Sequence, residues 1–68
     1  MYWTGYLNAL CCADKRAHIK MKNGEEFDCT PDCLTYDKEG NEEMTVRYDS
    51  GELYCLKEDD IESVSEIG

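Results

Sequence analysis

The N-terminal part of the chain shows a helical spacing of apolar side chains. One helix face, with its period of 3.6 residues, is occupied by Trp3, Leu7, Leu10, Cys11 and Asp14. Only the last of these residues is polar. Thr4 is of a type that caps helix N-termini, and Lys15 and Arg16 follow where a helix C-terminus favours cations. We therefore expect one short helix over residues 5–14.

From residue 18 onward, polar and apolar positions alternate as in a strand with one buried face. Residues 18–22 and 25–29 both alternate, and Asn23 and Gly24 lie between them. An Asn-Gly pair supplies the two positive φ angles of a type I′ turn. This segment therefore predicts a β-hairpin. Pro31 cannot donate to a strand ladder, so residues 30–33 should form a bulge, a bend or a loop.

The remaining alternation predicts further strands. Polar turns at residues 37–41 and 49–51 flank a strand whose one face carries Met44, Val46 and Tyr48. The next strand, over residues 52–56, is ambiguous. Its inward side chains are either Leu53 and Cys55 or Tyr54 and Leu56. A tight turn at residues 59–61 then leads to a last short strand with Val64 and Ile67 as its apolar residues.

A helix followed by about five short antiparallel strands predicts a mainly β fold. This order can close into a small barrel, which removes exposed sheet edges, and a bend near Pro31 would help the closure. A chain of 68 residues buries one hydrophobic core. We therefore expect a single domain over residues 1–68, with the helix at about 5–14 and the strands within 18–67.

The chain is acidic, and its charge is unevenly distributed. It has 16 Asp and Glu against 7 Lys and Arg, for a net charge of −9. Residues 25–68 carry −12, whereas residues 1–24 carry +3. Nucleic acid is bound through Lys and Arg that displace counterions, so direct nucleic-acid binding is disfavoured. The carboxylates either keep a small sheet protein soluble or form a docking face for a basic protein surface.

No apolar stretch is long enough to span a membrane, and the N-terminus lacks the basic and apolar segments of a secretory signal. A cytoplasmic location is therefore expected, in which thiols stay reduced. The five cysteines are Cys11, Cys12, Cys29, Cys33 and Cys55. Cys29 and Cys55 fall at alternating core positions, which favours small buried hydrophobes over a zinc site or a redox role. We expect no metal and no cofactor.

Nothing in the sequence predicts catalysis. His18 is the single histidine and lies on the polar face of its strand, where no neighbouring nucleophile would use it as a base. No phosphate-cradling glycine loop and no serine in a nucleophile elbow is present. We therefore expect a binding protein and not an enzyme.

Three segments carry a resemblance to a known family. They are Leu7–Cys11 on the helix, Ile19–Glu25 in the hairpin and Leu56–Ser63 near the end of the chain. In these segments the chain resembles the Sm-like and SH3-like small barrels, and in particular the Rof family of acidic bacterial proteins that bind the transcription terminator Rho. The resemblance implies an inhibitor that occupies a nucleic-acid-binding surface on its protein partner, with an effect on transcription antitermination.

Three functions are open from the sequence. The first is a protein-binding inhibitor or adaptor, Rof-like or encoded by a phage or mobile element, whose acidic face blocks a basic surface. The second is a homo-oligomeric Sm-like module that holds a small ligand between subunits, and the third is a zinc-stapled interaction module. For the first function, the expected contact residues are Glu58, Asp59, Asp60 and Glu62, followed by Glu42, Glu43 and Glu52. The aromatic residues Tyr2, Trp3 and Tyr6 are either a lid on the core or exposed anchors.

Overall fold

A computed structural model describes residues 2–67 and contains one α-helix and one antiparallel sheet of five strands. Helix α1 spans Trp3–Cys12. The strands are β1 (Arg16–Met21), β2 (Glu26–Tyr36), β3 (Glu42–Tyr48), β4 (Leu53–Lys57) and β5 (Ile61–Ile67). A 3-10 turn at Glu58–Asp60 joins the last two strands. The strand order across the sheet is β4-β3-β2-β1-β5.

The mainly β class with a short N-terminal helix is confirmed, but the sheet is open. The two edge strands, β4 and β5, are not paired with each other within residues 2–67. Helix α1 packs against β1, β2, β3 and β5, so the core is covered by the helix where a barrel would have a closing ladder. The expectation that closure removes all sheet edges was therefore wrong.

The hydrophobic core lies between α1 and the face of the sheet on which it packs, which we call the inner face. The helix contributes Leu7 and Leu10. The sheet contributes alternate residues of its strands, as the period of two predicted: Ala17, Ile19, Cys29, Met44, Val46, Leu56, Ile61 and Val64. Among the residues described, the helix is too short to cross a membrane.

Helix α1 begins and ends about two residues earlier than predicted. Thr4 is not its cap, because Tyr2 occupies the N-cap position without a side-chain hydrogen bond and Thr4 lies in the first turn. The helix ends at Cys12, since Asp14 adopts a left-handed conformation with φ of 57°. No basic residue lies in its last turn, so the predicted pairing of Lys15 and Arg16 with the helix end is absent from α1.

Three hairpin turns share one geometry, which differs from the predicted type I′. In the first, Gly24 N–H donates to the Met21 carbonyl at 3.0 Å and Met21 N–H donates to the Glu25 carbonyl at 2.8 Å. Only Gly24 of the Asn-Gly pair has a positive φ. This is a type I turn followed by a glycine bulge. Gly40 and Gly51 repeat the pattern in the next two hairpins.

Strand β2 contains the predicted bulge. Its register against β3 shifts between Pro31 and Cys33, and Pro31 lies opposite Val46. The strand continues through the bulge to Tyr36, so one long bent strand pairs with both β1 and β3.

The register of β4 resolves the ambiguity over residues 52–56. Tyr54 lies opposite Val46 and Leu56 lies opposite Met44, and both partners are buried. The inward pair is therefore Tyr54 and Leu56. The expectation that Cys55 is a core residue was wrong, because it points to the other face and is exposed.

Candidate protein-binding site

The N-terminus of α1 is capped by a carboxylate from the far end of the chain. The Glu58 carboxylate accepts hydrogen bonds from the backbone N–H of Trp3 at 2.9 Å and from that of Thr4 at 2.8 Å. Both N–H groups lie in the first turn, where no intrahelical acceptor exists and the helix dipole favours an anion. Glu58 therefore fastens the 3-10 turn to the start of the helix.

The pKa of Glu58 reflects this position. Burial alone would raise the pKa of the carboxyl group, but hydrogen bonds from the backbone of Thr4 and Trp3 and from the Thr4 hydroxyl outweigh it. The net effect lowers the pKa, because every one of these donors stabilises the ionised form. The carboxylate is therefore held charged at the base of the site.

Two carboxylates meet at the buried hydroxyl of Thr4. Its Oγ1 lies 2.9 Å from Glu42 Oε2 and 3.1 Å from Glu58 Oε1. A hydroxyl carries a single proton, so it donates to one carboxylate at a time. The residue is fully buried, with 0% of its surface exposed. Thr4 thus links α1, the start of β3 and the 3-10 turn.

A groove of about 570 Å³ opens beside this junction. It is lined by carboxylates of Asp37, Glu42, Glu58 and Asp59, by the cation of Lys57, and by Tyr2, Thr4, Gly40 and Asn41. Lys57 Nζ lies 3.9 Å from Asp37 Oδ2, so one cation faces four carboxylates in the groove. The groove is therefore strongly acidic. We call it the acidic groove.

Asp37 is held in place by the turn between β2 and β3. Its Oδ1 accepts hydrogen bonds from the backbone N–H groups of Glu39 and Asn41, each at 2.9 Å. The Asn41 backbone bond is the main cause that lowers the pKa of Asp37. Asp37 therefore stays ionised and points in a defined direction.

The first group of expected contact residues divides into three environments. Glu58 caps the helix, and Asp59 lines the acidic groove. Asp60 lines a second recess beside Met21, Lys22 and Asn23. Glu62 Oε2 lies 3.4 Å from Lys20 Nζ on the neighbouring strand. All four residues follow one another around the 3-10 turn and the start of β5, so they occupy the same end of the molecule.

The second group is not one cluster. Glu42 and Glu43 lie at the start of β3, and Glu43 faces Lys57 on β4. Glu52 lies beyond the opposite end of β3, in the turn to β4. Five residues of strand separate the two positions, which is about 17 Å. Only Glu42 therefore lines the acidic groove, and Glu43 points to the opposite face of β3.

The three N-terminal aromatic residues lie in two different environments. Trp3 and Tyr6 are partly buried against the core, with ring centroids 6.4 Å apart in an edge-to-face arrangement. Tyr2 is 72% exposed and lines the acidic groove. Trp3 and Tyr6 thus cover the core as a lid, and Tyr2 is the exposed aromatic residue of the three.

Sequence reasoning did not single out Asp37 or Lys57 as site residues and assigned Thr4 a different role. The groove joins residues from three separate segments, 2–4, 37–42 and 57–59, and alternation along a single strand carries no signal for such a junction. Sequence reasoning also did not detect the stacked tyrosines Tyr48 and Tyr54. Tyr54 lies opposite Val46, so the two tyrosines are diagonal neighbours on one face of the hairpin, and that spacing was a usable signal.

The cysteines are less buried than expected. Cys29 is in the core, where burial raises the pKa of its thiol to about 12. Cys11 is half-buried and donates to the Asp32 carbonyl at 2.8 Å, whereas Cys12, Cys33 and Cys55 are exposed. All five are free thiols. Within residues 2–67, no group of three or more His, Cys, Asp or Glu side chains is arranged to hold a metal ion.

His18 lies between two carboxylates on the outer face of the sheet. Its Nδ1 is 2.7 Å from Asp28 Oδ1, and its Nε2 is 3.1 Å from Glu26 Oε1. Both ring nitrogens can donate only when the imidazole is protonated. The hydrogen bond to Asp28, followed by that to Glu26, accordingly raises the pKa of His18.

Fold and site together describe a small acidic β protein with one N-terminal helix on a five-stranded antiparallel sheet and a carboxylate-lined groove at the helix start. A solved structure with this fold is that of YaeO bound to magnesium from Vibrio cholerae O395. The two chains have a TM-score of 0.78 and 19% sequence identity, and the match covers 93% of this chain and 80% of that chain. The likeness is one of fold. Neither a protein-family model nor a curated protein sequence matches this chain.

Proposed function

We propose that this protein is a small acidic inhibitor or adaptor that binds another protein and covers a basic, nucleic-acid-binding surface on it. The observation that carries the proposal is the acidic groove, in which four carboxylates converge and Lys57 is the cation among the lining residues. A surface of this charge attracts a positive patch and repels nucleic acid. Binding, and not catalysis, is the activity that such a groove supports.

The shared fold agrees with the resemblance drawn from the sequence. YaeO is a Rof-like protein, and the resemblance to the Rof family implies Rho as the partner. Rho therefore is the first protein to be tested. The fold alone does not carry this assignment, because function depends on the site and not on the scaffold.

The exposed carboxylates around the groove are proposed to make the contacts. Glu42 and Glu58 hold α1 through Thr4, so their negative charge acts from the base of the groove. Asp59 and Asp60 are exposed on the 3-10 turn. Their carboxylates can replace the phosphates that a basic surface would otherwise bind, since Lys and Arg pair with either anion. Glu62 extends the same surface along β5, whereas Glu43 points to the other face of β3 and Glu52 lies too far away to belong to it.

The test compares the same charge reversal at two exposed positions. Asp59→Lys changes the edge of the acidic groove, and the matched control Glu66→Lys changes the far end of β5. Affinity for purified Rho is measured by titration at low and high salt, and a pull-down from bacterial lysate identifies other basic partners. We expect Asp59→Lys to weaken binding at least about tenfold, as the like charges then oppose docking, and Glu66→Lys to change it little.

Two results would contradict the proposal. One is a wild-type protein that captures no basic protein at low salt. The other is equal binding by wild type and both variants with the same salt dependence.

A further inference from the structure

A ladder of three aromatic rings lies on the inner face of the sheet, at the end away from the acidic groove. Phe27 on β2, Tyr48 on β3 and Tyr54 on β4 contact one another in this order. The ring centroids of Phe27 and Tyr48 are 4.9 Å apart, and those of Tyr48 and Tyr54 are 4.3 Å apart and stacked. Phe27 and Tyr48 pack against the hydrophobic core, and the ladder runs from there to the exposed Tyr54.

The outer ring of the ladder is accessible. Tyr54 is 44% exposed, and its strand β4 is an edge of the sheet. Within residues 2–67, no further strand continues the ladder past Tyr54. A stacked aromatic ring at an open edge presents a flat π surface that no strand within residues 2–67 covers.

A carboxylate lies at the rim of this surface. The Tyr54 hydroxyl donates to Glu52 Oε2 at 2.9 Å, so an anion is fixed at the edge of the ring. An aromatic face with a carboxylate at its rim matches a guanidinium, which stacks on a ring through its plane and pairs with a carboxylate through its edge.

We propose that the Tyr48–Tyr54 stack with Glu52 is a binding site for an arginine side chain of a protein partner. This proposal rests on the proposed function, because it assumes a basic partner. The site lies at the opposite end of β3 from the acidic groove, and it recognises the type of cationic side chain and not only its charge. The groove responds to positive charge in general. The stack selects arginine over lysine, because an ammonium has no plane to stack and no paired edge.

The experiment uses two short peptides, Gly-Arg-Gly-Arg-Gly and its lysine analogue, titrated into the isotope-labelled full-length protein and followed by NMR. We expect the arginine peptide to bind about two- to fivefold more tightly, because arginine adds planar stacking and an edge-on ion pair to the cation–π contact that both cations can make. The largest shifts should fall on the rings of Tyr48 and Tyr54. Two variants remove separate parts of the site: Tyr54→Leu loses the π face, and Glu52→Gln loses the carboxylate without changing the packing.

Tyr36→Leu is the matched control, since Tyr36 is 62% exposed and lies at the other end of β2 from Phe27. Both site variants should reduce the preference for arginine, and the control should keep it. Equal affinity for the two peptides, or shifts centred on Asp37 and Asp59, would overturn the site. If the peptide titration fails in this way but Asp59→Lys still weakens partner binding, the proposed function is unaffected. If the peptide titration shows the arginine preference but no basic partner is captured from lysate, only the proposed function is refuted.

Discussion

Thr4 and Glu58 are 54 residues apart in sequence, yet the Glu58 carboxylate binds both the backbone N–H and the hydroxyl of Thr4. The contact ties the first turn of the helix to the turn between the last two strands. Because β4 and β5 are the two open edges of the sheet, this junction holds together parts of the molecule that strand pairing does not join. It also sets the shape and charge of the acidic groove.

Glu58→Gln should therefore destabilise the fold. The amide keeps its size but loses the charge at the helix N-terminus and part of the accepting capacity, so we expect a loss of about 1–2 kcal/mol, as for removal of a helix N-cap. Asp59→Asn is the matched control on the same turn, and it should cost less than about 0.5 kcal/mol. Urea unfolding followed by circular dichroism measures both.

The same contact makes stability fall in acid. The pKa of Glu58 is lowered in the folded state, so its contribution is present above the unfolded pKa of about 4.3 and is lost as pH falls through the folded pKa. Glu58→Gln should remove this part of the pH dependence below about pH 4.3. An unchanged slope in the variant would show that other carboxylates dominate.

His18 should titrate above its ordinary value, because Asp28 and Glu26 both bind the protonated ring. As the single histidine, it can be followed directly by NMR. Asp28→Asn should bring the pKa down toward about 6.5, whereas Glu43→Gln should leave it unchanged. The stability that this contact contributes is present below the unfolded pKa and is lost as pH rises through the folded pKa. A His18 pKa at or below about 6.5 in the wild type would contradict the geometry.

The cysteines should react in the order of their exposure. Cys12, Cys33 and Cys55 should be alkylated fast in the native protein, Cys11 more slowly, and Cys29 only on unfolding, since it is buried and the pKa of its thiol is about 12. Mass spectrometry of timed samples resolves the sites. Cys29→Ala should cost about 1–2 kcal/mol through the cavity that it leaves, and Cys55→Ala much less. Rapid labelling of native Cys29 would refute this packing.

Alanine substitutions at two glycines distinguish the effect of backbone conformation from the effect of the space available for a side chain. A Cβ added at Gly40 or at Gly5 meets no atom within 4 Å, but Gly40 has φ of +85° whereas Gly5 lies inside helix α1. Gly40→Ala should therefore destabilise by about 1–2 kcal/mol. Gly5→Ala should stabilise by about 0.5–1 kcal/mol, because alanine favours a helix. Thermal unfolding with opposite signs for the two variants is the expected result, and equal signs would contradict it.

Local patterns predicted the elements of this fold well. Alternation in residues 18–22 and 25–29 indicated the first hairpin, and Pro31 indicated the bulge in β2. The helix start was predicted less well, because the group that caps it comes from Glu58 and not from a neighbouring residue. A capping signal read from adjacent positions cannot detect a partner so distant in sequence.

The open edges of the sheet and the set of residues at the site also depend on tertiary contacts, which local sequence patterns do not reveal. The inward pair of β4 was ambiguous until its register against β3 placed Tyr54 opposite Val46. Charge counting located the acidic part of the chain, but could not tell that Glu58 is used within the fold while Asp59 lies at the groove. Composition counts carboxylates and carries no information on which of them already have hydrogen-bond donors.

The central claim is that this protein displaces nucleic acid from a basic protein surface. The most direct measurement titrates the protein into Rho that holds a fluorescent single-stranded RNA and follows the RNA by anisotropy. We expect the RNA to be released at fixed, low salt, with a higher midpoint for Asp59→Lys than for Glu66→Lys. RNA that stays bound at saturating protein, on Rho and on every basic protein captured from lysate, would contradict the account.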